Sequence, residues 1–271
     1  MLELLQYNFF QNALIGSLLI SIASGMIGTY IVFRRLSFIS GGITHASFGG
    51  VGIGLFLGIS PTFSAAVFAI FSSLGVEWLG KRKEMSSDSA IAIFWTFGMA
   101  VGIIFTYLTP GYTTDLSTYL FGNILTITAV DLYLLALLTG SLILFFLRYI
   151  STILSISFDR EFARSKGINV SLFEYVLMIF IALTIVFSLR MVGIVLVISL
   201  LTIPQITAHL FSQSFKKIIF LSMFIAGISC LFGLYFSATL NIPSGASIIF
   251  SSTIIYLICK LAKTFFVHLS K

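Results

Sequence analysis

Few side chains in this sequence could do chemistry, and the histidines come first because they can hold a metal ion or a proton. There are three: His45, His209 and His268. His45 stands in RRLSFISGGITHASFGGVGIGLFLG, residues 34–58, where glycines, a threonine and the histidine open an apolar segment. An ionisable group in such a segment is expensive and usually faces a cavity or a partner. Read as helix, Gly42, Ala46, Gly50, Gly54 and Gly58 recur every four residues, a ridge low enough for another backbone to approach closely. Gly41 and Gly49 lie one turn either side of His45 and leave room beside the imidazole, so Gly41, Thr44, His45 and Gly49 are the candidate lining of a path. The alternative is an imidazole bonded to a backbone carbonyl, with glycines that only pack helices. The residues alone leave both open.

The other reactive groups read more plainly. Cys230 and Cys259 lie in separate apolar segments without a CxxC pair and read as core thiols. His209 falls near the end of a predicted span, where snorkelling explains it, and His268 belongs to a solvated tail. Segment GVEWLGKRK places Gly75, Gly80 and Lys81 at the spacing of a phosphate loop, but Arg82 stands where Ser or Thr is needed, and the context is a helix end. No ATP site is expected on this chain.

These residues are positioned by apolar helices. The chain is 58% hydrophobic and 9% charged with a mean hydropathy of +1.11, where a soluble domain carries about a quarter charged residues. A polytopic membrane protein follows, with no soluble domain and no cleavable leader. Nine spans are predicted at 9–33, 40–59, 62–80, 88–108, 131–150, 171–189, 191–211, 217–237 and 244–263, each near the ~20 residues that cross a bilayer core. If Arg34 and Arg35 are cytoplasmic, alternation puts every other cation inside except Arg190, so the N-terminus is predicted outside and the C-terminus inside. The net charge of +6 is thus spread over inner loops and does not suggest nucleic acid. The stretch 111–130 is half apolar. Its Tyr112, Tyr119 and Phe121 suit an interfacial helix, while Asp115 and Asp131 read as solvated charges.

Two stretches break the pattern. In SISFDREFARSKGIN, Asp159 can cap a short helix with Glu161 in its first turn, Arg164 and Lys166 in its last, and Gly167 as the stop. Phe158, Phe162 and Ala163 give that helix an apolar side, to be covered by its own bundle, by lipid or by a partner. In MVGIVLVISLLTIPQITAHL, Pro204 removes a backbone hydrogen bond in mid-segment and is expected to kink or interrupt the helix.

Five blocks in this order, RRLSFISGGITHASFGGVGIG, LFGNIL, FDREFARSKGI, VGIVLVISLLTIPQITAHL and NIPSGASIIF, resemble the permease subunits of bacterial ATP-binding-cassette importers for zinc, manganese and iron. The resemblance covers nearly the whole chain. It implies an all-α, type II importer permease: one transmembrane domain over 1–271, about nine helices, some broken, and a coupling helix within 157–169. It also implies a plasma-membrane subunit that is not itself an enzyme and holds no permanent cofactor. ATP would be hydrolysed on a partner ATPase, with a second permease copy as a homodimer and an extracytoplasmic metal-binding protein. The cargo would be a divalent ion, zinc or manganese, possibly iron. Carried over, Phe158, Asp159, Glu161, Phe162, Ala163 and Gly167 form the contact set for the ATPase.

In that family the first block carries an Asp four residues before the His, and here Gly41 stands in its place. The ion would then be held by His45 with carbonyls and water, or by a carboxylate from elsewhere. Glu77 and Asp88 are nearest in sequence but lie toward the cytoplasmic side. His209 falls where relatives often carry a basic residue, which leaves it the lesser metal candidate. Two other function classes fit worse. An ion- or proton-coupled secondary transporter usually needs carboxylates near the bilayer midplane, and an intramembrane enzyme needs paired ligands of the HExxH kind.

Overall fold

The apolar segments form ten described helices in a computed structural model of the chain. It describes residues 6–81, 85–111 and 127–269, apart from the side chains of 190, 191 and 266–269. The expected interfacial stretch with Tyr112, Asp115, Tyr119, Phe121 and LFGNIL therefore lies outside the described residues, as does the His268 side chain. In order the helices are α1 (Asn8–Phe33), α2 (Ser37–Leu57), α3 (Pro61–Gly80), α4 (Ser87–Leu108) and α5 (Ala129–Phe158), then α6 (Arg160–Ser165), α7 (Val170–Leu200), α8 (Ile203–His209), α9 (Phe215–Leu240) and α10 (Ser244–Leu269). No strand occurs among the described residues.

Eight stretches are long and apolar enough to cross a membrane, and they match eight of the nine predicted spans. The ninth, 40–59, is α2. It has 21 residues, but its glycines and serines lower its hydropathy, and α3, α4 and α7 enclose it instead of lipid. A helix with little apolar surface needs another source of adhesion, and close backbone contact supplies it. A Cβ added at Gly50 would strike the backbone of Ser64 and Ala65 on α3, and one at Gly52 the backbone of Gly102 on α4. On α4 the relation is reciprocal, since Gly98 meets the Ala46 backbone and Gly102 that of Phe48. The small-residue ridge thus serves two crossings. Gly58 is not part of it: at φ +67° it is the left-handed C-cap of α2, a conformation that suits glycine.

Helix α7 is the centre of the bundle and packs on α1, α2, α3, α5 and α10. By contrast, α4 and α10 are the most outward spans, with only 17% and 22% of their apolar windows buried. Their exposed Phe97, Ile103, Phe250 and Leu261 face the place of lipid. Three boundaries differ from expectation. Helix α5 continues to Phe158, beyond the predicted end at 150, with one non-helical residue at Tyr149. The predicted turn at Arg190 has its hinge at Gly193, where φ +74° and ψ 169°, backbone open to glycine alone, join the two pieces of α7 and divide the crossing stretches Val170–Leu189 and Val192–His209. The Pro204 break falls just before the proline, at Leu201–Thr202, because proline is tolerated in the first turn of the new helix α8.

Candidate functional site

His45 projects from α2 against α4. Its ring lies flat on the Trp95 indole, with centroids 4.6 Å apart and planes 3° apart, and Phe48 stacks more distantly at 6.4 Å. Nδ1 is buried and has no hydrogen-bond partner in the protein. The reading of an imidazole satisfied by a backbone carbonyl therefore does not describe this nitrogen, which is left free to ligate or to bind a proton. Two aromatic faces fix the ring plane.

The neighbouring candidates fall on different surroundings. Gly41, one turn earlier, faces Ile198 of α7; an added Cβ there would sit 3.6 Å from Cδ1, an ordinary contact. Space for a Cβ remains where the resemblance calls for aspartate. Gly49, one turn later, is closed by the Phe68 ring and the Gly98 carbonyl oxygen, so the room expected on that side is filled. Thr44 is buried and its hydroxyl donates back to the Ser40 carbonyl. Among the described residues no group of three His, Cys, Asp or Glu side chains comes together as a metal site. His209 is exposed and edge-on to Phe33 at 5.9 Å, at the basic end of the bundle and apart from His45.

The interrupted segment carries a residue that sequence reasoning missed. Gln205 follows Pro204 and is fully buried. Its Nε2 donates to the Leu200 carbonyl at 3.1 Å, an orphan of the helix end before the break, and to Ser24 of α1 at 2.8 Å. Gly28 makes room for it, because a Cβ there would collide with the Gln205 amide. The Oε1 oxygen remains buried without a partner. A glutamine directly after a mid-segment proline was the available signal.

At the basic end, α6 forms as its residues dictate. Asp159 Oδ1 accepts from the amides of Glu161 at 2.9 Å and Phe162 at 3.0 Å, Arg164 pairs with Glu161 at 2.7 Å, and Gly167 at φ +76° ends the turn. Of the six residues expected at a partner surface, Ala163 is turned inward. It is fully buried between Ile156 and Val170, where a methyl group lets the short helix sit close to the bundle. Phe158 and Phe162 point out, 65% and 49% exposed.

Beneath α6 lies a second unforeseen group. Glu174 of α7, the last acidic residue of the chain, is 1% exposed. Its carboxylate meets Arg34 at 3.3 Å, Arg160 at 2.6 Å and Lys81 at 3.6 Å. Lys81 also contacts Glu77 at 3.2 Å, donates to the Ser171 hydroxyl at 2.7 Å and rests over the Tyr175 ring. Arg34 further donates to the Ile156 carbonyl at 3.0 Å.

Comparison with known proteins agrees with this architecture. The model of the ABC 3 transport family matches residues 6–263. The manganese transport system membrane protein MntC of Listeria monocytogenes is 35% identical over 258 residues, covering 95% of this chain and 92% of that protein. The manganese import system permease protein ScaB of Streptococcus gordonii is 32% identical, covering 93% and 90%. The solved structure of PsaBC from Streptococcus pneumoniae, in complex with Fab, superposes with a TM-score of 0.83 at 30% identity, covering 94% of this chain and 92% of that one. With its enclosed glycine helix, its interrupted segment and its capped outer helix, the chain belongs to the ABC 3 transport family, as a membrane-spanning permease.

Proposed function

We propose that this chain is the permease subunit of an ATP-driven importer of a divalent transition metal, with manganese as the cargo. Supporting the metal is the agreement of relatives named for manganese over more than nine-tenths of the chain. One observation carries the division of labour: a capped helix presents Phe158 and Phe162 outward beside a cluster of cations, on a chain whose sequence offers no nucleotide site. A separate ATPase subunit covers those phenylalanines at the cytoplasmic face. Two permease copies form the pathway, and an extracytoplasmic metal-binding protein delivers the ion. The basic end is then cytoplasmic, with the N-terminus outside and the C-terminus inside.

Within the path, His45 supplies its unpartnered Nδ1 to the passing ion. Gly41 contributes space and backbone in place of the family's carboxylate. Manganese prefers oxygen ligands, so the imidazole makes one contact and carbonyl oxygens or water complete the shell. A site this lightly liganded holds its cargo loosely, as transit requires, and leaves selection to the delivery protein.

The test is metal content in cells lacking the gene, complemented with the wild type at scarce external supply, with manganese, zinc and iron counted in parallel. Restoration of manganese supports the reading. Restoration of zinc or iron alone moves the cargo, and no response of any metal removes the proposal.

A further inference from the structure

We infer that Glu174 is the positioning residue that joins the ATPase-facing helix α6 to the transmembrane spans, so that displacement of α6 moves α1, α3 and α7 together. The inference rests on the importer reading above and concerns how force crosses the permease.

The geometry is convergent. One carboxylate on α7 receives a cation from the end of α1, from the turn after α3 and from the first residue of α6. Arg34 adds a bond to the Ile156 carbonyl near the end of α5, so the cluster reaches that helix too, through one of its cations. The apolar packing of Ala163 against Ile156 and Val170 already seats α6, and the charges are not needed for that. Buried ion pairs are poor sources of stability compared with apolar packing, but they fix register, because losing one partner strands the others. Here they fix the register between a surface helix and three spans. Helix α7 then runs from Glu174 to the interruption at Gly193 and on to Ile198, the residue facing Gly41 beside His45. The joint at Glu174 sets the position of the first piece of α7, Val170–Leu189, whose far end carries the Gly193 hinge from which the piece with Ile198 begins.

The experiment uses the permease assembled with its ATPase in proteoliposomes, with manganese ion as cargo, and reads uptake per ATP hydrolysed at equal complex abundance. Glu174→Gln strands three cations and puts assembly itself at risk, so Arg160→Gln is the primary variant: it cuts only the α6 arm and leaves Arg34 and Lys81 paired. For R160Q the complex should assemble and hydrolyse ATP within about twofold of wild type, while uptake per ATP falls by about tenfold, a loss of coupling of ordinary size. Arg160→Lys should restore most of the ratio, which a purely steric role would not predict. An unchanged ratio for R160Q overturns the inference. So does loss of the complex, since Arg160 would then act at the docking surface itself. Wild-type vesicles that show no ATP-driven manganese uptake overturn the importer reading instead, and this inference with it.

Discussion

The surroundings of His45 and of Glu174 are opposites. Around Glu174 each charge has a partner: one buried carboxylate holds three cations, and the cations hold further oxygens. Around His45 the ring is fixed by stacking on Trp95, yet its buried Nδ1 has no partner and Gly41, one turn before it, has no side chain. The Glu174 cluster is paired by charge even where Arg160 Nε and Glu77 Oε1 make no hydrogen bond, whereas the His45 nitrogen has neither an ionic nor a hydrogen-bond partner and waits for something to arrive. The molecule keeps the two apart, with order at the basic end and an open valence within the helices.

If that contrast is real, perturbations at the two regions should fail in different ways. The largest effect is expected from Glu174→Ala, which strands Arg34, the most buried of its cations. Breaking a buried pair costs about 3–5 kcal/mol, so thermal unfolding of the purified permease in detergent should shift sharply downward. A shift no larger than that of a surface substitution would show the cluster to be solvated. Next comes Gly98→Leu at the α2–α4 crossing, where the Ala46 backbone leaves no space. Overpacking costs about 1–3 kcal/mol, and membrane abundance should fall, whereas the same change at Gly140, with nothing near its added Cβ, should be silent. Asp159→Ala removes the cap of α6 at a cost of about 1 kcal/mol, local to that helix. Affinity for the ATPase subunit should weaken while thermal stability of the bundle holds, and Asp159→Asn should recover the affinity. The smallest effect is expected from Arg164→Ala, because its pair with Glu161 is exposed and worth at most about 0.5 kcal/mol. ATPase binding and stability should both be unchanged within error.

What the sequence disclosed follows the range of the interactions involved. The cap of α6 was legible because Asp159 bonds amides two and three residues away. The close crossings of α2 were legible in kind, since a ridge of small residues has little other use in an apolar helix, although which helices would cross it was not. The partners of Glu174 and Gln205 were not legible, even where the glutamine after Pro204 stood out. Their partners lie 140 residues away in Arg34 and 181 away in Ser24, and nothing local to either residue names them. The turn expected at Arg190 was legible as a break between two spans, Val170–Leu189 and Val192–His209, though its hinge at Gly193 was not. A single glycine at φ +74° interrupts α7 without the run of polar residues that marks a loop. Ala163 looked like part of an apolar contact face because a short amphipathic pattern does not reveal which side the bundle already covers.

The most direct test of the account is ATP-driven uptake of radioactive manganese into proteoliposomes by the assembled importer, wild type against His45→Ala. Complex abundance and ATP hydrolysis are measured on the same vesicles. An open valence in the path predicts that His45→Ala assembles fully and hydrolyses ATP but moves manganese at least about tenfold more slowly, the scale of one lost ligand contact. Uptake by His45→Ala equal to wild type would contradict it and place the ion's path elsewhere in the bundle.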